Sequence, residues 1–85
     1  MTSVTVHYKE VAKAINLIAD THNLPSNIAH EFLRKYLGIN HLRFDYPYSP
    51  RTHYLISEKN AHTIRALAGP NGKTMLRVLE INHGS

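Results

Sequence analysis

Residues 11–38, VAKAINLIADTHNLPSNIAHEFLRKYLG, decide how the rest of the chain is arranged. Apolar residues recur every three or four positions on both sides of a short interruption, which is typical of two amphipathic helices. We predict a first helix over residues 9–22 and a second over residues 26–37. The residues expected to face the core are Val11, Ile15, Ile18, Ala19, Ile28, Ala29, Phe32, Leu33 and Tyr36.

The interruption carries residues that end one helix and start the next. Asn23 tolerates a left-handed backbone, so we expect it to end the first helix. Pro25 cannot continue a helix and biases Leu24 towards an extended conformation. The Ser26 hydroxyl is expected to cap the second helix by accepting an early backbone N–H, and Gly38 to end that helix.

This helical pair resembles the helix-turn-helix of DNA-binding proteins, over roughly a third of the chain. The resemblance rests on Ala19 as the small residue at the helix crossing, and on Asn23 where the family usually has glycine. Leu24 is the apolar residue that follows the turn, and Ala29 and Phe32 match the two inward positions of the second helix. It implies a DNA-binding domain whose second helix enters the major groove.

The composition is that of one small basic domain. The chain has 85 residues, of which 42% are hydrophobic, which suits a single core. Ten Lys and Arg against six Asp and Glu give a net charge of +4, which favours polyanions such as nucleic acid. We find no apolar run long enough to span a membrane and no signal peptide, so we expect a cytoplasmic protein without a membrane partner.

The rest of the chain mixes strand and helix patterns. Residues 3–8 predict a short strand or an extended arm, and residues 41–56 predict a β-hairpin around a proline-rich turn. Residues 57–69 predict a third helix with Ser57 as its N-cap. Residues 74–82 alternate, and predict a C-terminal strand that pairs with the N-terminal strand or extends the hairpin.

This order predicts one α+β domain over residues 1–85, with a helix-turn-helix, a β-hairpin wing, a third helix and a C-terminal strand. A helix-turn-helix followed by a hairpin resembles a winged helix-turn-helix domain. The resemblance implies a wing that holds the DNA backbone beside the recognition helix.

The candidate DNA-binding residues lie on the second helix and the hairpin. If the apolar side of that helix faces the core, its polar side faces outward. Asparagine then pairs with adenine, arginine with guanine, and lysine with phosphate. Any solvated amphipathic helix shows the same polar side, so the pattern alone leaves the function open. The candidates are Asn27, His30, Arg34, Lys35, Arg43, Arg51 and His53.

Other chemistry is poorly supported by the sequence. Residues 69–74, GPNGKT, look like part of a phosphate-binding loop, but Leu67 stands where that pattern needs its first glycine. We therefore predict a turn rather than a nucleotide site. The seven histidines lack metal-ligand spacing and there is no cysteine, so we expect neither a metal nor another cofactor. Scattered carboxylates and the lack of a nucleophile motif give no reason to expect an enzyme.

The favoured hypothesis is a sequence-specific DNA-binding protein, a small transcriptional regulator that binds double-stranded DNA as a homodimer reading paired half-sites. The alternative is a small phage-type inhibitor or adaptor that binds a partner protein through Tyr46, Tyr48 and Tyr54. A third reading is RNA binding by the basic hairpin. An exposed tyrosine patch favours the protein partner, whereas basic residues gathered on one face favour DNA.

Overall fold

The computed structural model describes residues 3–39 and 53–83. Within these residues lie four helices and a two-stranded antiparallel sheet, so the domain is α+β, as predicted, and mostly helical. In chain order the elements are β1 (Ser3–His7), α1 (Tyr8–His22), α2 (Ser26–Leu37), β2 (His53–Ser57), α3 (Glu58–Ala68) and α4 (Gly72–His83).

The corner between α1 and α2 has the predicted backbone. Asn23 is left-handed, with φ 53°, and its N–H donates to the Ala19 carbonyl. Gly38 ends α2 in the same conformation, with φ 69°. The prediction for Ser26 was wrong, because Pro25 is the N-cap and no side chain caps this helix. Pro25 is extended, with φ −66° and ψ 154°, and Ser26 is the first helical residue after it.

The buried side of α2 is narrower than the sequence predicted. Ala29, Leu33 and Leu37 are buried and follow one another every four residues, so they form a single line along the helix. Phe32 was expected in the core but is 36% exposed. It lies about 100° around the helix from Leu33, at the edge of the buried line, with its ring centroid 6.1 Å from that of Tyr36.

The predicted C-terminal strand over residues 74–82 is wrong, because this segment forms most of α4. The apolar residues of this segment fit both the two-residue period of a strand and the 3.6-residue period of a helix. Short apolar runs do not distinguish a strand from a helix. The burial follows the helix: Leu76 is 2% exposed, whereas Val78 and Ile81 are 47% and 73% exposed. Helix α4 begins at Gly72, inside the GPNGKT segment, and α3, not a strand, precedes this segment.

The partner of the N-terminal strand is β2. The register pairs Thr5 with Leu55 at the centre, and Ser3 and His7 with Ser57 and His53 at the ends. This two-stranded sheet is called the ribbon below. β2 thus contains the end of the predicted hairpin over residues 41–56, whereas residues 41–52 of that hairpin lie outside the described residues.

The core lies between α1, α2, α3 and the inner face of the ribbon. Helix α1 packs against both α2 and α3, while α3 also contacts the two strands. The fully buried large side chains come from each of these layers, which makes this one continuous core. They are Val6, Val11, Ile18, Leu33 and Ile64.

The described residues fall into two β–α–α units, residues 3–37 and 53–83. Each unit has a five-residue strand, a helix that starts at once, a corner, and a second helix of 12 residues. The strands pair antiparallel and α1 packs on α3, so the two units contact each other through their strands and their first helices. This repetition was not predicted from the sequence.

Candidate nucleic-acid interface

Helix α2 presents its predicted DNA contacts unevenly. Asn27 and Lys35 are exposed, two turns apart. Between them lies the exposed carboxylate of Glu31, which phosphate would repel. His30 and Arg34 are half-buried and already interact with neighbouring groups. The polar side of α2 is thus a mixed surface and not a continuous basic row.

The other three predicted contacts are only partly placed by the structure. Arg43 and Arg51 lie outside the described residues. His53 is the first residue of β2 and pairs with His7 at one end of the ribbon. The predicted contacts from the helix and the hairpin are therefore not seen to form one surface in the described part of the chain.

The ribbon has one buried and one exposed face. Val6, Tyr54 and Ile56 are at most 8% exposed and point into the core. The alternate positions point the other way: Thr5 is exposed, and its partner Leu55 is 70% exposed. The pleat of the strands produces this separation, since successive side chains point to opposite faces.

The outer face carries small hydrogen-bonding side chains around one apolar residue. Ser3 and Thr5 are exposed and Ser57 is half-buried, while Leu55 sits beside Thr5 at the centre. Neither strand contains an aspartate or a glutamate. This face therefore offers hydroxyl donors and acceptors and a branched apolar group, with no side chain on it that repels an anion.

Two lysines flank the ribbon at opposite ends. Lys9 follows β1 in the first turn of α1, and Lys59 follows β2 in the first turn of α3; both are exposed. Because the strands are antiparallel, these turns lie beyond opposite ends of a ribbon about 13 Å long. This pair of lysines was not predicted from the sequence. The sequence feature that indicates the pair is a lysine two positions after the last residue of each strand.

Arg65 fixes the first strand in position from α3. Its Nη2 donates to the Thr5 carbonyl at 3.1 Å, and its Nε lies 3.5 Å from Glu10 Oε1. Glu10 Oε2 also accepts from the His7 backbone N–H at 3.2 Å. These contacts tie the middle and the end of β1 to the two central helices, which stiffens the ribbon without using its outer face.

The start of each helix behind the ribbon is capped by the last residue of its strand. His7 Nδ1 accepts from the Lys9 backbone N–H at 3.2 Å, and Ser57 Oγ accepts from the Asn60 N–H at 3.2 Å. Ser57 was the predicted cap of the third helix, and this prediction is confirmed. Both caps hold the flanking lysines in a fixed first turn.

Tyr54 belongs to the core, at 8% exposure, and so does not form the exposed anchor that the protein-binding alternative requires. Tyr46 and Tyr48 lie outside the described residues. The large apolar residues exposed within the described ranges are distributed over α2, the ribbon and α4. They are Phe32, Leu55, Val78 and Ile81.

A groove of about 640 Å³ runs between α1 and α4. It is lined by two acidic and two basic residues over an apolar floor, so its charges balance: Leu17, Asp20, Thr21, Lys73, Leu76, Arg77 and Glu80. At its edge His22 Nε2 pairs with Glu80 Oε1. Burial and the negative charge of Glu80 raise the pKa of Tyr36 above its usual 10.0. This balanced groove does not favour an anionic ligand.

Metal and membrane sites receive no support from the described residues. In residues 3–39 and 53–83, no three histidine, aspartate or glutamate side chains converge on a common point. No helix in the same ranges combines the length and the apolar character needed to cross a bilayer.

Comparison of the chain with protein-family models, with curated proteins and with solved structures gives no match.

Proposed function

We propose that this protein binds double-stranded DNA in a sequence-specific manner through the outer face of the ribbon, as a small transcriptional regulator. One observation carries the proposal: a two-stranded ribbon whose strands contain no carboxylate turns hydroxyl side chains to solvent and has an exposed lysine beyond each end. DNA was already the partner expected from the helical pair and the positive charge. The two strands of the ribbon carry no carboxylate, whereas α2 carries the exposed Glu31.

The dimensions support this assignment. The major groove of B-DNA is about 12 Å wide and admits a two-stranded β-ribbon. Paired strands lie about 4.8 Å apart, so the ribbon and its outward side chains fit within that width. Strand-based readers are an established docking geometry beside the helix-based ones.

The side chains on the outer face suit base recognition. Serine and threonine hydroxyls can donate to or accept from base edges, so Ser3 and Thr5 are compatible with several bases. The branched side chain of Leu55 suits the methyl group of thymine, which is the one apolar feature in the major groove. Lys9 and Lys59 would contact phosphates, which adds affinity and fixes the register without reading sequence.

The test is a fluorescence-anisotropy titration with a mixed pool of duplexes at about 50 mM and about 200 mM salt. Wild type is expected to bind more tightly at low salt. The variant Lys9→Ala/Lys59→Ala should weaken binding and reduce the slope of log affinity against log salt by about 1.8, since each phosphate contact contributes about 0.9.

Two matched variants locate the surface. Lys73→Ala/Arg77→Ala removes the same charge from exposed positions on α4, and should leave most of the salt slope intact. Asn27→Ala/Lys35→Ala removes the exposed candidates on α2. Absence of binding at low salt would overturn the proposal of DNA binding. If only the α2 variant lost the salt dependence of binding, the DNA contact would lie on α2 and not on the ribbon.

A further inference from the structure

We propose that the groove between α1 and α4 binds a free α-amino acid with an apolar side chain. The groove is lined by the C-terminal half of α1, whereas the ribbon adjoins the N-terminal end of that helix. The two surfaces share no residue, so this proposal does not depend on DNA binding.

The groove is bounded at each end by a contact between α1 and α4. At one end Gly72 lies so close to α1 that a Cβ there would be 3.0 Å from Leu17 Cδ2. At the other end His22 on α1 pairs with Glu80 on α4. The remaining lining residues lie between these contacts on both helices. The volume of about 640 Å³ is within the range of roughly 300–1,000 Å³ that is usual for small-molecule sites.

The two walls of the groove carry opposite charges. Asp20 is exposed on α1, while Lys73 and Arg77 are exposed one turn apart on α4. Within the described residues, Asp20 forms no ion pair with either cation. Glu80, the second acid of the groove, is already paired with His22. One wall therefore offers a carboxylate and the other offers two cations, and these charges are not paired across the groove.

The floor between the charged walls is apolar. Leu76 is 2% exposed, and Leu17 is half-buried, so part of the Leu17 side chain remains accessible from the groove. An aliphatic group that covers this floor removes apolar surface from water, which favours binding.

A free amino acid matches this arrangement of charged and apolar groups. Its ammonium group suits the Asp20 carboxylate, and its own carboxylate suits Lys73 and Arg77. The first turn of α4, which contains Lys73, adds the positive end of the helix dipole on the same wall. A ligand of a single charge would meet a like charge on one wall, whereas a zwitterion meets an opposite charge on both.

The experiment is a ¹⁵N NMR titration of the full chain with leucine. We expect saturable amide shift changes in residues 17–22 and 72–80, with the amides of the ribbon unchanged. Exposed ion pairs contribute little to affinity, so the expected Kd is on the order of 1 mM.

Three analogues each remove one feature of leucine. Leucinamide lacks the carboxylate charge and isocaproate lacks the ammonium group, and each should bind about fivefold more weakly than leucine. Glycine keeps both charges but lacks the apolar side chain, and should bind about tenfold more weakly.

Variants then assign each charge of the ligand to a wall. Asp20→Asn should weaken leucine about fivefold without weakening isocaproate, which has no ammonium group to lose a partner. Lys73→Ala/Arg77→Ala should weaken leucine by at least about fivefold without weakening leucinamide. Glu58→Gln is the matched control, since it removes an exposed carboxylate from α3, and should bind leucine as wild type does.

Each contrary result overturns a stated part of the proposal. No saturable shift up to about 20 mM leucine, or shifts outside the groove, would overturn the site. Leucinamide that binds as tightly as leucine would overturn the free amino acid as ligand, in favour of the amino terminus of a peptide. Equal weakening of leucine and isocaproate by Asp20→Asn would overturn the contact between Asp20 and the ammonium group. The titration contains no DNA, so failure of the proposed function would leave its result unaffected.

Discussion

The corner between the two helices of the first β–α–α unit depends on a left-handed backbone. The corner of the second unit depends instead on a residue without a side chain. Asn23 adopts a left-handed backbone with φ 53°. Gly72 starts α4 so close to the other helices that a Cβ there would lie 2.2 Å from the Leu67 carbonyl oxygen. It would also lie 3.0 Å from Leu17 Cδ2.

The difference shows that two similar helix–helix corners can depend on different properties of a single residue, its backbone conformation in one and its small volume in the other. The first corner needs a residue that tolerates left-handed φ, which several polar residues do at modest cost. The second needs a residue of minimal volume, because the atom in the way belongs to the backbone of α3. The second corner should therefore be the less tolerant of substitution.

The largest expected effect follows from Gly72→Ala. The new methyl group cannot be accommodated without moving α4 away from α3, so we expect a loss of about 3 kcal/mol in the free energy of unfolding. Urea denaturation followed by circular dichroism measures it. Gly38→Ala is the control: it adds strain at φ 69° but meets no atom within 4 Å, and should cost about 1 to 2 kcal/mol. Equal losses at both glycines would show that α4 can shift freely.

A smaller effect is expected at the first corner. Asn23→Ala should destabilise the fold by about 1 kcal/mol, because alanine lacks asparagine's tolerance of the left-handed region. Asn23→Gly should instead leave the stability unchanged or raise it slightly. The urea midpoints of the two variants against wild type test this ordering. If alanine were as stable as glycine, backbone conformation would not be what closes this corner.

The smallest expected effect is on the pH dependence of stability. It involves Tyr36 on α2, which lies near the negative charge of Glu80 on α4. The folded state raises the pKa of this phenol, so the folded protein holds the proton more tightly than the unfolded chain does. Stability from this source is complete below about pH 10 and falls as the pH rises from there through the raised pKa.

Urea midpoints at about pH 9 and about pH 11 measure this loss for wild type and for Tyr36→Phe. Phenylalanine has no proton to lose, so the variant should lose less stability than wild type between the two values. Identical losses would mean that the Tyr36 phenol has the same pKa in the folded and unfolded chains.

The sequence was informative where local chemistry decides the structure. Asn23 and Gly38 were predicted because few residues adopt left-handed φ, and Ser57 because its hydroxyl suits a helix start. Phe32 was misplaced because the helical period alone does not set the width of the buried face. The segment at residues 74–82 was misassigned because its apolar residues fit both a helix and a strand.

The candidate site was harder to predict from the sequence than the fold. Lys9 and Lys59 lie 50 positions apart, and only the pairing of β1 with β2 shows that they flank one surface. The exposure of Leu55 depends on which side of the ribbon α1 and α3 cover. Sequence periodicity gives neither the partner of a strand nor the element that buries one of its faces.

The most direct test of DNA binding through the ribbon is a ¹⁵N NMR titration of the protein with a short unlabelled duplex at low salt. The largest amide shift changes are expected along Ser3–His7 and His53–Ser57 and in the first turns of α1 and α3. Changes confined to α2, or no changes at all, would contradict the ribbon as the DNA-contacting surface.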